Sequence, residues 1–83
     1  MRITFKLFAG LGDYLPAGSR DNTTSAEIEP GTSAHNLLKD LNVPRERAHL
    51  VLLNGVYLNV VERDTRALRD GDVLAVWPPV AGG

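Results

Sequence analysis

Cysteine is absent from the 83-residue sequence. That excludes a disulfide scaffold, a thiolate zinc site and a cysteine nucleophile, so any sulfur chemistry must draw on sulfur supplied from elsewhere. An excess of one charge is missing too: 9 basic and 10 acidic residues leave a formal charge of -1, which argues against a nucleic-acid binder that relies on phosphate neutralisation. No run of apolar residues approaches membrane-spanning length. Residues 1–9 alternate polar with apolar, unlike the continuous apolar core of a signal peptide. A cytoplasmic protein that binds neither nucleic acid nor membrane is expected. A chain of this length forms one small domain that buries only about 60–65% of its unfolded surface, which places function on the surface or at an end.

The residues present read as alternating strands and turns. In RITFKLFA, Arg2 to Ala9, the residues Ile3, Phe5 and Leu7 share one face at the period of two that marks a strand. The stretch Gly10 to Asn22 holds three glycines and a proline and reads as a loop into a second strand over Thr23 to Glu29, closed by Pro30 and Gly31. Thr32 or Ser33 can cap a helix whose Ala34, Leu37, Leu38 and Leu41 fall on one stripe, with Asn42 and Pro44 ending it. HLVLL, His49 to Leu53, is a third strand running into Asn54-Gly55, a dipeptide suited to a tight hairpin turn, and a short strand follows near Tyr57 to Val60. After the Asp70-Gly71-Asp72 turn, VLAVW, Val73 to Trp77, is a largely apolar strand ended by Pro78, which cannot donate to a ladder. One helix over a mixed sheet of about five strands is the α+β pattern of a β-grasp, or ubiquitin-like, roll over residues 1–77.

Most candidate chemistry dissolves on inspection. Gly10-Leu11-Gly12 opens like a dinucleotide fingerprint, but Leu15 stands where the third glycine belongs. Asn22-Thr23-Thr24 fits a glycosylation sequon without a secretory signal to use it. His35 and His49 stand alone, as surface or half-buried imidazoles, and no metal site is expected. Arg63, Arg66 and Arg69 interleave with Glu62, Asp64, Asp70 and Asp72 and read as a solvated charged loop, with a small basic patch for docking a partner as the alternative. Asp13, Glu62 and Asp64 have no companion base or nucleophile, and no Ser-His-Asp arrangement stands out.

The ending WPPVAGG is different. Two prolines pre-extend the exit from the last strand, and two glycines let the terminal backbone enter a channel too narrow for a Cβ. Residues 78–83 therefore read as a tail built for insertion, with the Gly83 carboxylate as a handle for chemistry.

LNGVYLN followed by LRDGDVLAVWPPVAGG closely resembles the end of the small subunit of molybdopterin synthase, in the MoaD/ThiS family of ubiquitin-like sulfur carriers. ITFKLFAGLGDYLPAG is similar to that family's first strand and loop. The Pro-Pro before the diglycine points to the molybdopterin branch. The stretch from Asn54 to Asp70 is longer than in the family's shortest members. The resemblance implies a non-catalytic carrier with no bound cofactor. A partner adenylyltransferase of the ubiquitin-activating type would use ATP to adenylate Gly83, and a persulfide donor would convert that residue to a thiocarboxylate. The tail Pro78, Pro79, Val80, Ala81, Gly82 and Gly83 would then insert into the large synthase subunit, with Phe8 and Trp77 as apolar docking contacts. Carriers for thiamine, cysteine or tungsten-cofactor pathways, a ubiquitin-like modifier that conjugates to lysines, and a plain β-grasp interaction module are the alternatives.

Overall fold

The computed structural model describes residues 1–16 and 18–79. Five strands form one sheet: β1 (Arg2–Leu7), β2 (Thr23–Glu27), β3 (Leu50–Leu53), β4 (Val56–Tyr57) and β5 (Val73–Trp77), in the order β2-β1-β5-β3-β4. The last strand occupies the centre, parallel to β1 and antiparallel to β3. Its placement explains its composition, because only an interior strand is flanked by neighbours on both edges.

Period-two alternation puts Ile3, Phe5, Leu7, Val51, Leu53, Leu74 and Val76 on the inner face, all buried. Helix α1 (Ala34–Asp40) covers them with Ala34, Leu37 and Leu38. Each of these Ile, Phe, Leu and Val side chains removed from water contributes about 1.5–3 kcal/mol. Ser33 caps α1, accepting from the Asn36 amide at 3.2 Å. Asn42 ends it at φ 64, with Val43 N–H donating to Leu38 O and Asn42 N–H to Lys39 O. This paired closure satisfies carbonyls that the last turn would leave open. Leu41 is the C-cap and only partly buried against the core.

Several boundaries differ from the sequence reading. β1 stops at Leu7 and β2 at Glu27, and β3 begins at Leu50. The stretch after β1 is not a plain loop: Ala9–Tyr14 forms a 3-10 turn that buries Leu11. The hairpin at Asn54-Gly55 has φ of 52 and 82 at its two central residues, the left-handed pair this turn requires. β4 is shorter than expected and Val60 is not in it. Instead Val60–Thr65 is a second helix, α2, capped by Asn59, which accepts from the Glu62 amide at 2.8 Å while Glu62 reaches back to the Asn59 amide. This helix accounts for the long connection between Asn54 and Asp70.

Arg63 corrects the reading of a charged loop. It is only 4% exposed. Its guanidinium donates to the carbonyls of Leu58 at 2.8 Å and Ala48 at 3.1 Å, and more weakly to His49 at 3.4 Å. Arg66 and Arg69 remain exposed. The solitary His35 and Asp64 of the sequence are likewise partners: His35, on α1 and 6% exposed, lies with Nδ1 2.9 Å from Asp64 Oδ1 on α2. Arg45 Nη2 donates to the same oxygen at 2.8 Å.

Candidate functional site

The parallel ladder of β1 and β5 sets the geometry of the tail's exit. Leu7 pairs with Val76 on the inner face, so the next residues, Phe8 and Trp77, emerge side by side on the outer face. Their rings stack with centroids 4.5 Å apart and planes 11° from parallel, a close packing of two large apolar surfaces. Both side chains are half-buried. Leu50, opposite Trp77 on β3 and 36% exposed, continues the apolar surface.

The backbone around Trp77 is held from two sides. Phe8 N–H donates to Val76 O at 3.0 Å, and His49 N–H donates to Trp77 O at 3.0 Å. The carbonyl of His49 in turn accepts from Arg63. Helix α2, absent from the sequence reading, thus reaches the tail's exit through one buried guanidinium. A short 3-10 turn, Arg45–Arg47, precedes His49, and α2 fixes its start through the Asp64–Arg45 pair.

Pro78 and Pro79 leave the sheet beside this aromatic pair and, with Ala9, Gly10, Trp77 and Arg47, line an open groove. Glu46 borders it as well. Among the described residues the groove offers apolar surface and two unlike charges, but no nucleophile and no imidazole, an arrangement for recognition. Among the described residues no group of three His, Asp or Glu side chains could hold a metal ion, and no helix is long and apolar enough to cross a membrane. The His35–Asp64 pair faces neither Phe8 nor the groove. At neutral pH Asp64 is ionised and only accepts, so His35 Nδ1 carries the proton. That hydrogen bond is the largest cause holding the Asp64 carboxyl below its ordinary pKa of 3.8; desolvation opposes it, and the charges of His35 and Arg45, with the hydrogen bond from Arg45, add to the lowering.

Of the expected site residues, the structure brings Phe8, Trp77, Pro78 and Pro79 together. Val80, Ala81, Gly82 and Gly83 lie outside the described residues. Sequence reasoning missed Arg47 and Gly10 as neighbours of the exit, because they come from turns whose spacing carries no periodic signal.

A mixed five-strand sheet with its last strand central and one helix across the inner face is a ubiquitin-like β-grasp. The chain belongs to the ThiS family, whose model matches residues 14–83. No curated protein matches it. Among solved structures it is similar to SAMP1 from Haloferax volcanii, at 26% identity over 100% of both chains with a TM-score of 0.67. It is similar also to small archaeal modifier protein 1 from Methanosarcina acetivorans, at 22% identity over 99% of this chain and 96% of that one, TM-score 0.65. A third similar structure is the complex of subunits 1 and 2 of molybdopterin-converting factor from Helicobacter pylori, where 20% identity covers 100% of both chains and the TM-score is 0.59.

Proposed function

We propose that this protein is a sulfur carrier that bears sulfur on the carboxylate of Gly83 and donates it in molybdopterin biosynthesis. The observation that carries the reading is the family match running through Gly83 on a fold whose last strand already ends at Trp77. Residues 78–83 then serve delivery.

The chemistry follows from what a carboxylate lacks. It is a poor electrophile, so a partner adenylyltransferase of the ubiquitin-activating type joins it to AMP, releasing pyrophosphate from ATP. The terminal sulfur of a persulfide displaces AMP and forms an acyl disulfide. A second thiol cleaves the sulfur–sulfur bond and frees the thiocarboxylate. The carrier itself supplies no acid, base or metal. Phe8, Trp77 and Leu50 form the apolar surface that seats the protein on a partner, and the prolines direct the tail into that partner's channel. The Helicobacter pylori structure, in which subunit 1 is held by subunit 2, supports a large synthase subunit as recipient.

Mass spectrometry after incubation with the source organism's adenylyltransferase, ATP and a persulfide donor tests the reading. Sulfur in place of one oxygen on Gly83 supports it, and an unchanged mass with every such enzyme of that organism defeats it. The likeness to SAMP1 favours a second reading, isopeptide conjugation of Gly83 to lysines of other proteins. Higher-mass conjugates that depend on Gly83 would establish that one.

A further inference from the structure

We propose that Asn54 is a latent deamidation site, locked in the folded protein by Val73 and Asp72. Asn54 is followed by Gly55, and a glycine has no Cβ to screen its backbone nitrogen. That nitrogen can reach the asparagine side chain. In the first step it gives up its proton and bonds to Cγ of Asn54, while the Cγ–Nδ2 bond breaks and Nδ2 leaves with that proton as ammonia. A five-membered cyclic imide remains. Water then opens either of the two bonds from the ring carbonyls to the Gly55 nitrogen, giving aspartate or an isoaspartate whose backbone runs through the former side chain. Water is the only co-reactant, and Asn54 and Gly55 are both exposed to it.

The lock consists of three hydrogen bonds to the start of β5. Asn54 N–H donates to Val73 O at 2.8 Å, Asn54 Oδ1 accepts from Val73 N–H at 2.8 Å, and Asn54 Nδ2 donates to Asp72 Oδ1 at 2.9 Å. The two side-chain partners are unlike, one a donor and one an acceptor, so the amide fits them in a single orientation. Asp72 is itself held, its Oδ2 accepting from Arg69 N–H at 2.8 Å and its carbonyl from Thr4 N–H at 3.0 Å. Ring closure makes Cγ tetrahedral and expels Nδ2. Both side-chain bonds must therefore break before the imide can form.

The lock opens with the hairpin and not with the core. β4 is a strand of two residues at the edge of the sheet, an element that frays well below the free energy of global unfolding. The reaction is also damaging once it occurs. An aspartate at this position sets a second carboxylate where Nδ2 faced Asp72 at 2.9 Å, replacing an attraction by a repulsion between like charges. An isoaspartate lengthens a two-residue turn and disturbs the pairing of Leu53 with Val56 that the turn fixes.

The test incubates the whole protein at mildly alkaline pH, folded or unfolded in guanidinium, and follows the tryptic peptide Ala48–Arg63 by fragment mass spectrometry. That peptide also contains Asn59, followed by valine, as an internal control. Folded wild type should convert Asn54 at least about tenfold more slowly than the unfolded chain, the factor that one hydrogen bond to a charged group carries. Asp72→Ala should convert it about tenfold faster than folded wild type. A core variant, Ile3→Val or Leu38→Ala, whichever matches Asp72→Ala in denaturant stability, should stay close to wild type. Equal rates in folded and unfolded wild type overturn the lock, and a wild-type rate in Asp72→Ala overturns the part given to Asp72. Equal acceleration in the matched core variant overturns local opening, because the route then runs through global unfolding. Asn54→Asp, one of the two products, should melt below wild type at neutral pH, and equal melting overturns the clash with Asp72.

Discussion

Arg63 lies beneath Tyr57, its guanidinium carbon 5.6 Å from the centre of the phenol ring, and from there it holds three backbone carbonyls from two segments, Leu58 just before α2 and the adjacent Ala48 and His49. A buried cation with no carboxylate paired to it among the described residues is stable only because those dipoles replace water. Replacing Arg63 by Met keeps much of the volume and strands the carbonyls of Leu58 and Ala48. It should cost about 2–4 kcal/mol in urea unfolding. Arg63→Lys should recover little, because one ammonium cannot span acceptors arranged for a fork. A loss within the roughly 0.5 kcal/mol typical of surface changes would show that the guanidinium is replaceable.

Asp64 makes stability depend on acid. Its folded-state pKa lies below the ordinary 3.8, so between those two values the unfolded chain binds more protons than the folded one. The stabilisation is therefore full above 3.8 and drains away as pH falls through the lower, folded value. Denaturant titrations at a series of acid pH values should show a steeper loss for wild type than for Asp64→Asn, which has no carboxyl to protonate. Parallel acid limbs would mean that the His35–Asp64–Arg45 contact adds nothing.

The sheet and α1 were legible in the sequence because their apolar residues repeat at fixed periods: Ile3, Phe5 and Leu7 at two, Ala34, Leu37, Leu38 and Leu41 at three and four. Asn54-Gly55 gave the hairpin for an equally local reason. Helix α2 was hidden because its residues, Val60–Thr65, are too few to display a stripe, and Val60 and Val61 are exposed. The spacing Asn59-x-x-Glu62 was the available signal, a capping box lying in a stretch that looked like solvated charge. Arg63 and Asp64 were read as loop charges for the same reason. Their partners, the carbonyls of Ala48 and His49 and the imidazole of His35, come from 14 to 29 residues away in sequence. Of the candidate site, Phe8 and Trp77 could be named from the resemblance. Their stacking required the parallel register of β1 and β5, which joins the first and last strands.

The tail should tolerate change in the fold but not in its function. The core cluster runs from Ile3 to Val76, so deleting Gly83 or placing a bulky residue at Gly82 removes none of its apolar contacts. Both variants should melt with wild type and yield no sulfur-bearing product in mass spectrometry, because a Cβ at Gly82 meets the walls of a channel shaped for bare backbone. Unfolding on deletion would contradict a tail outside the fold, and retained transfer would contradict the narrow channel.

Trp77 is the residue on which partner binding should turn. Its side chain is half-buried, while Val76 beside it on β5 is fully buried, so the indole belongs to the outer surface and not to the core. Truncating it strips one ring from the Phe8 stack and opens the docking surface at its centre, the place where large aromatic residues dominate binding. Trp77→Ala should weaken binding to the large synthase subunit by at least about 2 kcal/mol, roughly thirtyfold. The loss of fold stability should stay below the roughly 3–5 kcal/mol typical of a buried aromatic. Phe8→Ala should weaken binding as well, and the double variant should lose less than the sum of the two, since the rings support each other across 4.5 Å. Calorimetric affinities paired with melting curves separate the two roles. A Trp77→Ala protein that melts far lower yet, while still folded, binds as tightly as wild type would place the indole's contribution in the fold and not in the interface.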